Sequence, residues 1–165
     1  MVASTFTSCA CFTTLPKGKS FLPGYPFTTF RNSTHTGSKL SLDAKYKSKG
    51  YPVIAINPND PAVVAGDSFA GMQKRAKQKG FTFPYLFDAD QSVAKAFDAA
   101  CTPDVFLYDH SGNLFYRGQF DETRPSCGTE SDGKDLLEAI KFLKSGYPAP
   151  EHQKPAIGCN IKWKP

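Results

Sequence analysis

The sequence predicts an α/β domain, on three observations. The continuous apolar run Val53-Ile54-Ala55-Ile56 has the character of a strand buried on both faces of a parallel sheet. Val105–Tyr108 and Leu114–Phe120 are separated by the turn residues His110, Ser111, Gly112 and Asn113, which predicts a β-hairpin. Leu136, Leu137, Ile140 and Leu143 recur at helical spacing within Asp132–Ser145. The expected order is a β-α-β unit, then a hairpin, then a final helix.

The elements follow in order. Residues 1–42 hold 14 Ser or Thr, five Phe and four basic residues (Lys17, Lys19, Arg31, Lys39), with no Asp or Glu. An acid-free, Ser/Thr-rich start is the composition of an organelle transit peptide. The single arginine and the start Met1-Val2-Ala3-Ser4 point to the chloroplast (plastid stroma), with the mitochondrion as the alternative. No compact apolar stretch of a secretory signal is present. The segment is expected to be disordered, and cleavage is expected between Phe30 and Asp43. Cys9 and Cys11 lie within it as C-A-C, too tight for a C-x-x-C redox pair.

Residues 43–146 are expected to form the folded domain. Leu42–Gly50 has the features of a helix end, with lysines in its last turn and Gly50 as its cap. Asn57-Pro58-Asn59-Asp60-Pro61 is a loop by its turn chemistry. Asp67 or Ser68 caps a helix running to about Lys79, with Phe69, Met72 and Ala76 inward and Gly80 as its end. Its basic run Lys74, Arg75, Lys77 and Lys79 reads as a solvated helix end. Pro84 makes Phe83–Phe87 an edge piece at best. Asp90 or Ser92 starts a short helix with Val93, Ala96 and Phe97 inward. Residues 147–165 form a Pro-rich C-terminal tail.

Composition excludes several function classes. A chain of 165 residues suits one domain. The net charge of +5 is concentrated in the first 42 residues, leaving 16 basic and 15 acidic residues beyond them. A near-neutral body argues against nucleic acid as a partner. No apolar run approaches the roughly 18 residues of a membrane helix, so no membrane insertion is expected. Five cysteines, widely scattered, do not make a disulfide scaffold. No internal repeat is visible.

The segments Tyr51–Asp60 (YPVIAINPND), Gly80–Asp88 (GFTFPYLFD) and Ala100–Asp109 (ACTPDVFLYD) resemble the thioredoxin-like redoxins of the alkyl hydroperoxide reductase/thiol-specific antioxidant superfamily. Tyr116–Asp121 (YRGQFD) and Ile157–Trp163 (IGCNIKW) extend the resemblance, which covers about Leu42 to Trp163. It implies a thioredoxin-like fold, with β-α-β, hairpin and helix as its second part. Such proteins carry a reactive cysteine after a first strand, at the start of the first helix. The 165 residues contain no C-x-x-C and no Pro-x-x-x-Thr-x-x-Cys. The expected domain is therefore incomplete at its N-terminal strand–helix unit, with no first strand between Val53–Ile56 and the hairpin. Phe21–Phe30, with Pro23, Gly24 and Pro26, is a poor substitute. A weakened or open sheet follows.

The resemblance also places Thr102-Pro103 as a cis-proline on the active-site face, where it would form a docking edge beside the reactive thiol. Cys101, two residues before Pro103, is the weak catalytic candidate. With no basic residue within five positions, a buried, inert thiol is its expected state. Cys127, in a polar loop beside Arg124, and Cys159, in the tail, are secondary thiols. The resemblance suggests that the tail packs back on the domain. Cys101, Cys127, Cys159 and the three histidines lack metal-ligand spacing, so no metal and no other cofactor is expected. Arg117, Asp121 and Arg124 read as solvated charges.

Two functions are carried forward. One is a thiol oxidoreductase or peroxiredoxin-like antioxidant, catalytically impaired here because the cysteine motif is missing, with thiol/disulfide proteins as partners. The other is a non-catalytic thioredoxin-fold binding module or truncated isoform. Negligible turnover is expected of residues 43–165.

Overall fold

The computed structural model describes residues 27–29, 36–124 and 130–165. Its elements are β1 (Phe27–Thr29), α1 (Thr36–Tyr46), β2 (Ala55–Asn57), α2 (Phe69–Lys79), β3 (Tyr85–Phe87), α3 (Ser92–Ala96), β4 (Cys101–Thr102), β5 (Asp104–Tyr108), β6 (Leu114–Gly118), α4 (Lys134–Lys144) and β7 (Cys159–Asn160). The main sheet runs β3-β2-β1-β5-β6, and β4 pairs separately with β7.

The central slot of the sheet is filled, and this corrects the expectation of a missing first strand. β1 pairs parallel with β2 (Thr28 opposite Ala55, Thr29 opposite Ile56) and antiparallel with β5 (Phe27 opposite Phe106, Thr28 opposite Val105, Thr29 opposite Asp104). The physical reason lies in the proline positions. Pro23 and Pro26 both precede the strand, so Phe27-Thr28-Thr29 keeps every amide a doubly paired strand needs, in residues that favour extended backbone. The boundary drawn at residue 43 falls inside α1. Thus residues 27–29 and 36–42 are built into the domain.

Other elements match the sequence with shifted ends. β2 starts two residues later than the apolar run, because the Val53 amide donates to the Asp43 carboxylate rather than to a strand (3.2 Å). β3 is the edge strand, and Pro84 lies just outside it. Ser68 caps α2 by accepting from the Gly71 amide, and Gly80 ends it in the left-handed region. In α3 the inward residue is Ala94, fully buried, whereas Ala96 faces solvent. Phe97, at the C-cap, packs inward against Phe106 as expected (ring centroids 5.4 Å).

β5 carries both layers of the core, as alternation along a strand requires. Val105 and Leu107 face Leu136, Ala139 and Ile140 of α4, together with Tyr51, Val53 and Tyr116. Phe106 faces the other way, toward Ala94, Ala99 and the tail residue Ile161.

The tail crosses the domain and is fastened at three places. The Gln153 side-chain amide accepts from the Arg117 amide (2.7 Å) and donates to the Phe115 carbonyl (3.2 Å), and the Lys154 carbonyl accepts from the Gln119 amide (3.0 Å). These bonds cover the outer edge of β6, which would otherwise be open. β7 then pairs with β4. Finally the Lys162 carbonyl accepts from the Asp60 amide (2.9 Å) and from Gln91 Nε2 (2.8 Å), while the Lys162 amide donates to Asn59 Oδ1 (2.9 Å).

Gln91 is the centre of this last anchor. Its Nε2 also donates to the Pro58 carbonyl (2.7 Å), and its Oε1 accepts from the Lys164 amide (2.8 Å). Gln91→Ala takes the donor from the buried Pro58 carbonyl and removes the bonds to the Lys164 amide and to the Lys162 carbonyl, which keeps Asp60, at about 1–3 kcal/mol for each group water cannot reach. The expected outcome is a loss of at least about 2 kcal/mol in urea-unfolding stability. Wild-type stability would show that this anchor carries no load.

Candidate functional site

Thr102-Pro103 joins β4 to β5, and the peptide bond between them is cis. The turn is held from below by Asp104, a buried carboxylate that accepts from the Ala100 amide (3.0 Å). Arg117 on β6 reaches across to it, with Nη2 3.5 Å from Asp104 Oδ2 and Nη1 3.2 Å from Asp98 Oδ2. The guanidinium lies over the Phe106 ring, 5.2 Å from its centroid. Burial pushes the Asp104 carboxyl up from its ordinary value, against the opposing pull of the Ala100 amide and Arg117.

Cys101 sits on this turn with only 6% exposure. Its thiol donates to the Pro103 carbonyl (3.4 Å). Burial, reinforced by the negative charge of Asp104, pushes the thiol up to about 11, and Arg117 only partly counters this. At neutral pH Cys101 is a protonated, hydrogen-bonded thiol, not the thiolate that attacks a disulfide or peroxide.

Cys159 lies on the neighbouring strand and is exposed. β4 and β7 run antiparallel, with Cys101 opposite Asn160 and Thr102 opposite Cys159. Thr102 Oγ1 donates to the Cys159 carbonyl (3.2 Å). Gly158 comes so close that a Cβ placed there would lie 2.3 Å from the Thr102 carbonyl oxygen. Only glycine fits at that point.

The structure therefore brings Cys101, Thr102, Pro103 and Cys159 together at one edge. Cys127 lies outside the described residues, as do Cys9 and Cys11. Among the described residues, no group of three or more His, Cys, Asp or Glu could hold a metal ion. No helix among them is long and apolar enough to cross a membrane.

Among the charges read as solvated, Lys74, Lys77 and Lys79 are exposed, whereas Arg75, Arg117, Asp121 and Arg124 are structural. Arg117 serves Asp98 and Asp104, as above. Asp121 accepts from the hydroxyls of Thr123 and Ser131 and from the amides of Thr123 (2.9 Å) and Gly133 (2.8 Å). Burial opposes its charge, but these donors together outweigh burial and hold its carboxyl below the usual range. Arg124 donates to Gln119 Oε1 (3.0 Å) and to the Asp121 carbonyl (3.2 Å). Arg75 pairs with the buried Asp67 (3.2 Å) and donates to the Gly66 carbonyl (2.9 Å).

Sequence reasoning missed Asp104 as the floor of the turn, Arg117 as its partner, and Gly158 as a steric requirement. The alternation of Asp104, Phe106 and Tyr108 along β5 was the available signal for the first. Nothing local in the sequence pairs residue 104 with 117, or 102 with 158.

Known proteins resemble this chain in sequence and in fold. A hypothetical protein from Sinorhizobium meliloti 1021 is 38% identical, with a TM-score of 0.81 over 87% of this chain and 81% of that one. The thiol-disulfide oxidoreductase ResA of Geobacillus kaustophilus (strain HTA426) is 29% identical over 96 residues, 58% of this chain and 48% of its own. This chain spans about half the length of the curated relatives it matches. A thiol:disulfide interchange protein of the thioredoxin family from Chlorobium tepidum TLS is 16% identical, with a TM-score of 0.53 over 74% of this chain and 81% of that one, and shares the fold. The α/β fold is thioredoxin-like. Residues 33–137, more than half of the chain, match the Redoxin family, and this chain belongs to it.

Proposed function

We propose that the chain acts in thiol redox chemistry as a catalytically impaired redoxin, engaging thiol/disulfide proteins at the β4 edge without turning them over. One observation carries this reading. The thiol on the turn, Cys101, is buried and held protonated, while the backbone edge beside it is intact. The name of the ResA relatives supports protein thiols and disulfides as the partner class. The absence of C-x-x-C from the 165 residues supports impairment. The antioxidant, peroxiredoxin-like reading is the weaker branch, because it needs an activated thiolate.

The test is an assay of the full chain in dithiothreitol-driven reduction of a protein disulfide and in hydroperoxide consumption. The expected rate equals that of dithiothreitol alone. Turnover above that baseline, lost in Cys101→Ser, would overturn impairment.

The chloroplast remains the proposed location, on the acid-free composition of residues 1–42. Because β1 begins at Phe27, a processed chain that keeps the five-stranded sheet is cut before that residue. A fluorescent fusion of residues 1–45 that enters plastids, with the endogenous N-terminus at or before Phe27, is the expected outcome. A cytosolic fusion would contradict the location, and an N-terminus between Phe30 and Asp43 would contradict the role of β1.

A further inference from the structure

We infer that β7 is a built-in occupant of the β4 edge, a displaceable strand of the chain's own tail that a partner segment must replace. The inference rests on the reading of that edge as a docking surface and adds its regulation. It also sets a sequence requirement on the partner.

Three features mark β7 as an occupant rather than a core strand. It contains only two residues, and both side chains are exposed. Among the described residues it belongs to no larger sheet, since β4 and β7 pair only with each other there. The tail is fastened on both sides of it by other means. Upstream, Gln153 and Lys154 bind the β6 edge. Downstream, Ile161 is buried against Phe106, and Lys162 is clamped by Asn59, Asp60 and Gln91. Residues 155–160 therefore span two anchors, and the span between them can bow outward while both anchors hold. Local openings of this kind cost less than global unfolding. Once β7 lifts, the backbone of Cys101 and Thr102 is free to pair with another extended segment.

Gly158 defines what that segment must look like. In this register the residue before the one facing Thr102 meets the Thr102 carbonyl, with no room for a Cβ. The fitting ligand is an extended segment with glycine directly before the residue opposite Thr102. In the chain itself that residue is Cys159, so the self-strand presents a Gly-Cys pair. The partner chemistry is thus an extended Gly-Cys segment of another polypeptide, competing with Gly158-Cys159.

The test uses the full chain under reducing conditions and a fluorescent peptide copying residues 156–162 (AIGCNIK). Gly158→Val forces β7 off its edge and leaves both anchors intact. The peptide is expected to bind Gly158→Val at least about tenfold more tightly than wild type, a difference of about 1.4 kcal/mol. A peptide with valine in place of its glycine is expected to bind neither protein. Equal binding to both proteins, or no binding to a folded Gly158→Val, would overturn the inference. If Gly158→Val does not fold, native-state hydrogen exchange of wild type decides. The Cys159 and Asn160 amides are expected to exchange at least about 100-fold faster than those of Val105 and Phe106. Exchange of all four only through global unfolding would overturn the inference. Catalytic turnover in the reduction assay would remove the proposed function and leave the peptide result standing. Failure of peptide binding would remove β7 displacement and leave impairment standing.

Discussion

Thr28→Pro is expected to unfold the protein or bring it to the edge of unfolding. Thr28 is the middle residue of β1, opposite Ala55 on one side and Val105 on the other. Proline lacks the amide hydrogen, so it removes a ladder bond, and within sheets it is confined to edge strands and bulges, unlike this doubly paired position. Loss of β1 would also leave the facing groups of β2 and β5 without partners, at about 1–3 kcal/mol for each that stays buried. A domain is stable by only about 5–15 kcal/mol, so the two effects together consume most of the margin. Circular dichroism melts of the full chain check this, with Thr28→Val as the control that keeps the amide. A Thr28→Pro protein that melts like wild type would show that β1 does not hold the sheet. By the same argument, residues 43–165 alone should not melt cooperatively.

Arg117→Leu is expected to lose about 2–3 kcal/mol at pH 7, below the 3–5 typical of a fully buried pair because Arg117 is one-third exposed. The loss comes from Asp104, a buried carboxylate that would lose the guanidinium as its counter-charge while still accepting from the Ala100 amide. Burial already raises the folded-state pKa of Asp104, and removing Arg117 takes away one of the interactions that lower it. A carboxyl whose folded pKa is raised contributes its stability below the unfolded pKa and loses it as pH rises through the folded value. The Arg117→Leu defect should therefore shrink as pH falls toward about 4, the ordinary carboxylate range. Adding Asp104→Asn should restore part of the stability at pH 7, because the amide oxygen can still accept from Ala100 without carrying charge. Urea titrations at pH 4.5 and pH 7 measure both. A defect independent of pH, and unrelieved by Asp104→Asn, would mean that Arg117 acts through Asp98 and Phe106 rather than through Asp104.

The long elements were legible because burial imposes a period on them. The α4 face of Leu136 and Ile140, the Ser68 cap of α2 and the alternation along β5 each leave a mark within a few residues. β1 left none. Three residues are too short for a period, and the prolines before it argue for a loop until the vacant centre of the sheet is known. β4 and β7 have two residues each and are defined only by meeting one another across 57 positions. Gln91 likewise reads as an ordinary polar residue near a helix start, whereas the fold makes it the clamp for the tail. At the site, Thr102 and Pro103 came from the resemblance carried by Ala100–Asp109, and Cys101 from its place two residues before Pro103. Asp104 and Arg117, which set the charge around that thiol, come together only in three dimensions.

The most direct test of the central claim is the alkylation rate of Cys101 in the folded full chain, read by mass mapping of its peptide between pH 7 and 9.5. A thiol pushed up to about 11 from an ordinary 9.0 holds about 100-fold less thiolate at pH 7, narrowing to about 25-fold at pH 9.5 as the ordinary thiol ionises fully. Cys101 is therefore expected to react at least about 100-fold more slowly than the same peptide unfolded at pH 7, with no inflection below pH 9.5. An inflection below pH 8, or a rate matching or exceeding that of the unfolded peptide, would show an activated thiol and contradict the account.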